Sequence, residues 1–416
     1  MHFKIQSFMQ KIRTCLARIS FAVAALLMSF AAVTCIRTPA GHCDFNLRMN
    51  EVECVIKGVN PFLVWSEKVA LPPYVSNLPK SVPQEGCNEQ VNAYAPWEYV
   101  YMMPISFLPR PIAWFVYCMM MGFAIFCVGW YSRPLFGVDE FQWGRDDVLL
   151  LTSLPIAMTS YLIWSNASVG NFIVFVMAFS VLMAKALAKG NWFFAGVSLA
   201  VTMIKPQSAI LFVLPLLMRG RWRSCFIAGG LCFALSLVPA FLCDTSVFDL
   251  LVQGPAANAE LFEGCGTWPK FLCGYFSNET DIAIGLAIGT ALCLWMTWLL
   301  RREKDWLVYL MPAAVCASCW TYTQAYSHAM GWFLAYAIIK ELIRNPYSKV
   351  MRILAAFSLL VLPRFILAWH GLYAYMGWRF PMSEFMYRSV DSLNSTCSLA
   401  LALTFCLVKC RRDRKA

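Results

Sequence analysis

Long apolar runs separated by short polar connectors recur along the whole chain, and this pattern limits the possible folds more than any other feature. Of the 416 residues, 60% are hydrophobic and only 14% are charged, whereas soluble domains carry about 25% charged residues. No segment is long and polar enough to form a separate soluble domain. The sequence therefore predicts a single all-α, polytopic integral membrane domain over residues 1–416. We expect a bundle of roughly 12 transmembrane segments, several of them broken or partial.

The net charge of +11 is placed unevenly along the chain. The segments predicted to be cytoplasmic carry a net charge of +15, those on the opposite side carry −6, and Lys205 and Arg364 at membrane depth supply the remaining +2. Cytoplasmic loops of membrane proteins carry an excess of Lys and Arg. We therefore expect the basic residues to orient the protein rather than to bind nucleic acid. Both termini are then predicted to lie on the cytoplasmic side of a bacterial plasma membrane. The predicted cytoplasmic segments are residues 1–18, 133–147, 185–191, 219–224, 301–305, 340–352 and 409–416.

The first apolar run, Ile19–Ile36, follows a basic N-terminus, which is also the pattern of a signal peptide. We predict that it is retained as a first helix. Residues 37–111 are then predicted to be a long first extracytoplasmic loop, irregular at PPYVSNLPKSVP (residues 72–83). Farther on, the apolar runs predict helices at Ile112–Tyr131, Val148–Trp164 and Gly170–Ala188, and the last two are joined by the loop SNASV.

Two apolar segments in the middle of the chain are too short to cross a bilayer. Trp192–Ile204 would form a helix of roughly 20 Å, against a hydrocarbon core of about 30 Å, and Ser208–Met218 is shorter still. Both adjoin basic clusters predicted to be cytoplasmic, so they predict a hairpin with Lys205, Pro206 and Gln207 at its tip. Broken backbone at membrane depth is tolerated where it is buried in protein or lines a cavity, and an intramembrane lysine suggests a function.

A second broken hairpin is predicted at Trp306–Leu342, where two apolar halves flank the polar tip TYTQAYSH (residues 321–328). This tip contains Tyr326 and His328. The following apolar run also breaks, at Pro363-Arg364. Lys205, His328 and Arg364 are thus predicted to place cations or hydrogen-bond donors near the outer membrane surface.

Cations facing an isolated carboxylate suit the transfer of a group from a phosphate leaving group. The cations stabilise the departing phosphate, and the carboxylate deprotonates an incoming hydroxyl. The first loop supplies acids on the same side, among them Asp44, Glu51 and Glu53. Because nucleotide sugars are normally absent outside the cell, we expect a sugar donor there to be lipid-linked.

Several stretches, in this order, resemble glycosyltransferase family 87. DFNLRMNEVECVIKGVNPF (residues 44–62) is similar to the family's first-loop pattern, and YAPWEYVYMMPISFLP (residues 94–109) to its Tyr-Pro-Pro segment. GNFIVFVMAF (residues 170–179) resembles its Gly-Gln-x-Asn helix start, and AGVSLAVTMIKPQSAILFVLPLLMRGRWRS (residues 195–224) resembles its Lys-Pro-Gln hairpin closely. Tyr-Ser-His (residues 326–328) lies where members have a polar tip.

The resemblance implies a GT-C-type helical bundle and a membrane glycosyltransferase that uses a polyprenyl-phosphate sugar, often mannose. It implies inverting transfer of a hexose to an extracytoplasmic lipid or glycan acceptor. It also implies Asp44 as general base, with Lys205 and His328 facing the donor phosphate. Arg364 lies beyond the resemblance, and we predict from its charge alone that it faces the donor phosphate as well. The substrate cavity would be lined by Tyr94, Asn171, Gln207, Tyr326 and Asn60.

Each of these residues also has a structural interpretation. Asp44 is also consistent with an ordinary solvated loop acid, with Glu51 or Glu53 as the base instead. His328 also fits a core histidine with its hydrogen bonds satisfied, and Arg364 a structural ion pair or a side chain reaching the interface. Asn171 also suits the start of a helix.

Two other functions remain compatible with the sequence: a multi-pass transporter or flippase of lipid-linked glycans, and an accessory subunit with a decayed site. Transporters usually show repeats between their halves, and no repeat is visible here. We expect no organic cofactor and predict no metal-binding motif, although the sequence leaves a metal requirement open. The expected partners are the polyprenyl-phosphate sugar, its lipid or glycan acceptor and membrane lipids.

Overall fold

The computed structural model describes residues 10–22 except 13, 17 and 20, and residues 43–65, 95–132, 145–253, 278–320, 325–364 and 384–413. Most of the first apolar run, the stretch at residues 72–83, Tyr94 and residues 321–324 lie outside the described residues.

The described part of the chain is helical. Short helices precede the first long one, and breaks interrupt several of the later ones. In chain order they are α1 (Cys43–Ile56), α2 (Pro61–Trp65), α3 (Pro96–Ser106), α4 (Arg110–Tyr131), α5 (Arg145–Met158), α6 (Ser160–Val169), α7 (Ile173–Ala188), α8 (Trp192–Thr202), α9 (Pro206–Ala209), α10 (Val213–Met218), α11 (Trp222–Leu242), α12 (Asn278–Leu299), α13 (Trp306–Trp320), α14 (Trp332–Arg344), α15 (Lys349–Val361) and α16 (Glu384–Asp413), with 3₁₀ turns at Ile210–Phe212 and Ala325–Gly331.

Three stretches of helix in the described residues are long and apolar enough to cross a membrane. They are α4, α11 and the Leu393–Asp413 part of α16. Several shorter apolar helices, including α7, α8 and α13, accompany them. The exposed side of α4 carries large apolar side chains such as Phe115, Phe123 and Trp130, which suits contact with lipid. These lengths and compositions are those of an integral membrane protein.

The chain breaks at Lys205, as its sequence predicts. Helix α8 ends at Thr202, and α9 begins at Pro206. Proline suits the first position of a helix because the N–H that it lacks would have no partner there. Helix α8 packs against both α7 and α11. At Gly196 an added Cβ would come 2.8 Å from the Ser224 carbonyl oxygen of the α11 N-terminal turn. Only glycine therefore allows α8 and α11 to approach so closely.

The prediction of one helix at Val148–Trp164 followed by a loop at SNASV was wrong. The structure has two helices, α5 and α6, that meet at Thr159, and the backbone of SNASV is helical. Pro155 has no N–H for a helical bond, and the Thr159 hydroxyl donates to the Pro155 carbonyl at 2.8 Å. Such back-bonding bends helices. The change of direction expected at SNASV falls instead at Gly170, where φ is +76°.

The long first loop contains helices that its sequence does not predict. Helices α1, α2 and α3 all lie within residues 37–111. Helix α1 packs on α3 and on α11, and α3 in turn packs on α4. Part of the predicted loop is therefore a folded layer attached to the α4 and α11 helices.

A buried ionic network joins α16 to the segments beside it. Lys409 Nζ lies 2.7 Å from a Glu303 carboxylate oxygen and 3.3 Å from a Glu341 carboxylate oxygen. Glu341 also pairs with Arg412, and Asp305 pairs with the buried Lys340. All these residues belong to segments that are predicted to be cytoplasmic. The network fixes the end of the chain to α13 and α14.

Candidate functional site

Asp44, Asn171 and Lys205 form a continuous chain of hydrogen bonds. The Lys205 ammonium donates to Asn171 Oδ1 at 3.0 Å. Asn171 Nδ2 in turn donates to an Asp44 carboxylate oxygen at 2.6 Å. Lys205 is 2% exposed. Three residues that are far apart in sequence, each predicted for the site, therefore meet at one place.

The backbone at Gly170 positions Asn171. Gly170 adopts a φ of +76°, which is sterically disfavoured for other residues. A Cβ there would lie 2.6 Å from Phe45 Cβ. The Tyr117 hydroxyl donates to the Gly170 carbonyl at 2.9 Å. Asn171 Oδ1 also accepts from the Ile173 amide at 3.2 Å, so Asn171 starts α7 as well as bridging Lys205 and Asp44.

Asp44 is distinguished from the two other candidate acids of α1 by what each contacts. Asp44 lies in the first turn of α1, where the helix dipole favours a negative charge. Glu51 is fully buried and accepts from Arg48 at 2.9 Å. Glu53 is bound by Arg110 at 2.7 Å on another side of the helix. Of the three acids, Asp44 is therefore the one joined to Lys205 through Asn171.

A further acid, Glu98, was not among the residues chosen from the sequence. It lies in the first turn of α3 and is 1% exposed. Its carboxyl oxygen is 3.8 Å from Arg48 Nε. Burial raises the pKa of Glu98 well above its usual range; Arg48 and Lys205 oppose that shift, and Glu51 and Asp44 add to it. The sequence feature that could have identified Glu98 is an acidic residue inside the aromatic and apolar stretch PWEYVYMM.

His328 and Arg364 lie together in a second polar cluster. His328 is buried on the 3₁₀ turn Ala325–Gly331, with Nε2 at 3.2 Å from the Ser395 hydroxyl of α16. Arg364 is also buried, has a φ of +51° and acts electrostatically on His328. The 3₁₀ turn packs against α6 and α7, so this cluster neighbours the helix that begins beside Asn171.

The remaining predicted residues are less closely tied to Lys205. Asn60 caps α2 by accepting from the Phe62 amide at 3.0 Å, and it donates to Gln253 at 3.1 Å. Gln207 is half-buried on α9. Tyr94 lies outside the described residues, and of Tyr326 the structure describes only the backbone, within the 3₁₀ turn.

The chemical capacity of the central arrangement follows from its charges. A buried ammonium group can bind an anion and stabilise charge that develops on it. A carboxylate that is separated from that ammonium group by a single side-chain amide can accept a proton from a hydroxyl. The two groups are held apart by Asn171, so they do not form a direct ion pair.

The comparison with protein families supports the resemblance seen in the sequence. The model of glycosyltransferase family 87 matches residues 92–323. The match covers more than half of the chain and includes Glu98, Asn171 and Lys205, whereas Asp44, His328 and Arg364 lie outside it. No curated protein matches the chain. Because this match covers more than half of the chain and includes Lys205 and Asn171, the chain belongs to glycosyltransferase family 87.

Proposed function

We propose that this glycosyltransferase moves a hexose, with mannose as our choice, from a polyprenyl-phosphate donor to a lipid or glycan acceptor outside the cytoplasm. The observation that carries the proposal is the hydrogen-bonded chain Lys205–Asn171–Asp44. It supplies a cation for a phosphate and a base for a hydroxyl within one site. The GT-C-type bundle of roughly 12 segments belongs to the same proposal.

In the proposed reaction an acceptor hydroxyl oxygen attacks the anomeric carbon of the sugar. The bond between that carbon and the phosphate oxygen breaks, and its electron pair stays on the phosphate. Lys205 stabilises the charge on the departing phosphate. Asp44 takes the proton from the attacking hydroxyl. Since one displacement occurs at the anomeric carbon, its configuration inverts.

Helix α1 supports the choice of base. Asp44 lies on a helix packed against α3 and α11, and Asn171 holds its carboxylate. A base needs a fixed position relative to the reacting hydroxyl. Glu51 and Glu53 are each bound by an arginine, which leaves them less suited to accept a proton.

His328 and Arg364 have a supporting role in this proposal. Both are buried next to the 3₁₀ turn that packs on α7. We assign them to the donor phosphate or its lipid end, in the same half of the site as Lys205.

The experiment that tests the function is a transfer assay with purified protein in lipid nanodiscs. A short-chain polyprenyl phosphate carrying radiolabelled mannose is incubated with the protein and bacterial membrane lipids. Label should appear in a new lipid or glycan product, with the anomeric configuration inverted. A donor that binds but only crosses the membrane of proteoliposomes, without transfer, would contradict the proposal and favour a flippase.

A further inference from the structure

Glu98 follows a residue that is hydrogen bonded to the hairpin tip, and Lys205 of that tip acts electrostatically on its carboxyl group. The neighbouring Trp97 donates its indole N–H to the Met203 carbonyl at 2.9 Å, two residues before Lys205. Pro96 at the start of α3 fixes the direction of this first turn. The hydrogen bond of Trp97 thus attaches the start of α3, which carries Glu98, to the hairpin tip.

Within the described part of the chain, neither carboxyl oxygen of Glu98 has a hydrogen-bond partner. Arg48, at 3.8 Å, directs Nη1 to Glu51 at 2.9 Å. Lys205 donates to Asn171 at 3.0 Å. Buried polar groups nearly always have a partner in a folded protein, and leaving one without a partner is destabilising. A partner supplied by a bound ligand resolves this exception.

The charges around Glu98 favour its neutral form. From α1 it faces Asp44, Arg48 and Glu51, and from the hairpin tip Lys205. These are two acids and two bases, so a neutral Glu98 leaves the set balanced.

Two other described helices, α4 and α11, pack on α3. Helix α4 brings Arg110, which Glu53 binds, and α11 brings Cys232 near Tyr101. Burial is the largest cause of the raised pKa of Glu98. A protonated carboxyl both donates and accepts hydrogen bonds.

We propose that Glu98 is a substrate-binding residue whose protonated carboxyl hydrogen bonds a hydroxyl of the transferred sugar. The inference rests on the proposed function, in which the sugar lies between the phosphate at Lys205 and the acceptor at Asp44. A sugar hydroxyl also donates and accepts, so it satisfies both capacities of the carboxyl group. A phosphate oxygen only accepts, and Lys205 already serves it.

The test measures binding of a short-chain polyprenyl-phosphate mannose to the full-length protein in nanodiscs by calorimetry. Glu98→Gln keeps the size, one donor and one acceptor, and should bind within about twofold of wild type. Glu98→Ala should bind roughly tenfold more weakly, as expected for one lost hydrogen bond. Asp249→Asn, an exposed acid elsewhere, is the control and should bind like wild type.

Donors lacking one hydroxyl identify the contact. Mannose donors deoxygenated at C2, C3, C4 or C6 are compared on wild type and Glu98→Ala. For the hydroxyl that Glu98 binds, wild type should lose roughly tenfold and Glu98→Ala should lose nothing further. Equal binding of the full donor by wild type and Glu98→Ala overturns the inference. The inference is also overturned if every deoxy donor loses as much affinity on Glu98→Ala as it does on wild type.

The pH dependence has a defined sign. Because the neutral form of Glu98 binds, affinity is complete below its raised pKa and falls as the pH rises through it. Glu98→Gln should bind with a flat profile over the same range. If wild type binds no donor at all, the proposed function fails and the inference fails with it. If wild type binds donor but the profiles of wild type and Glu98→Gln coincide, the inference alone fails.

Discussion

At the residue scale, the separation of Lys205 from Asp44 by one amide assigns each a different part of the proposed reaction. Asp44→Asn keeps the shape and removes the basicity, so the transfer rate should fall by roughly 10² or more, while donor binding persists. Lys205→Met keeps the stem and removes the charge, so donor affinity should fall by roughly tenfold or more, together with the rate.

These two variants are compared by donor titration and by single-turnover transfer. Glu53→Gln is the matched control for Asp44→Asn, because Glu53 lies on the same helix and binds Arg110 instead. Normal turnover by Asp44→Asn would place the base elsewhere, with Glu51 and Glu53 the next residues to test.

Gly170 gives a second prediction at this scale. In Gly170→Ala the new Cβ would lie 2.6 Å from Phe45 Cβ at a φ of +76°, and Phe45 is next to Asp44. We expect a destabilisation of about 2–4 kcal/mol, from the left-handed backbone and from overpacking, with slower transfer. Thermal unfolding in detergent and the transfer assay measure the two effects.

Gly190→Ala separates the two causes. Gly190 has a φ of +70° but nothing within 4 Å of an added Cβ. It should therefore show the backbone cost of about 1–2 kcal/mol alone and leave transfer unchanged. Equal effects of the two variants would mean that the contact with Phe45 does not position Asp44.

At the scale of elements, apolar periodicity predicts the long helices well but not the polar ones. The predicted Ile112–Tyr131 and observed Arg110–Tyr131 agree closely, because every residue in between suits a membrane. Helix α1 was missed because its buried face contains Arg48, Asn50 and Glu51. Polar residues on a buried face are satisfied by partners distant in sequence, which no local pattern shows.

The residues of the candidate site divide in the same way into those that the sequence indicates and those that it does not. Lys205 was chosen because a polar residue inside an apolar hairpin is conspicuous, and Asn171 was chosen from the resemblance to the family's helix start. Glu98 was passed over because it belongs to a segment predicted as loop, where an acid is ordinary. Its burial comes from α1 and α11, which pack on α3.

The ionic network of α16 yields a prediction about elements. Lys409→Met would leave two buried carboxylates, Glu303 and Glu341, without this cation, and breaking a buried pair costs about 3–5 kcal/mol. The thermal unfolding temperature should fall accordingly. Lys349 is exposed, so Lys349→Met should change the free energy of unfolding by less than about 0.5 kcal/mol. Equal stability of both variants would show that α16 is held by apolar packing alone.

At the scale of the whole molecule, the charge asymmetry predicts the orientation. An epitope tag inserted between residues 76 and 77 should be reached by antibody on intact spheroplasts. A tag after Ala416 should be reached only after permeabilisation. Both results follow from the excess of Lys and Arg in the segments that include the C-terminus. The reverse pattern would overturn the orientation and, with it, the argument for a lipid-linked donor.

The amide of Asn171 has a direction. Its nitrogen faces Asp44, and its oxygen faces Lys205 and the Ile173 amide. Turning it over would set N–H against an ammonium group and oxygen against a carboxylate, so both neighbours hold it one way. The folded site therefore carries an electric field that points from Lys205 to Asp44, and an arriving donor enters a field that folding has set up in advance.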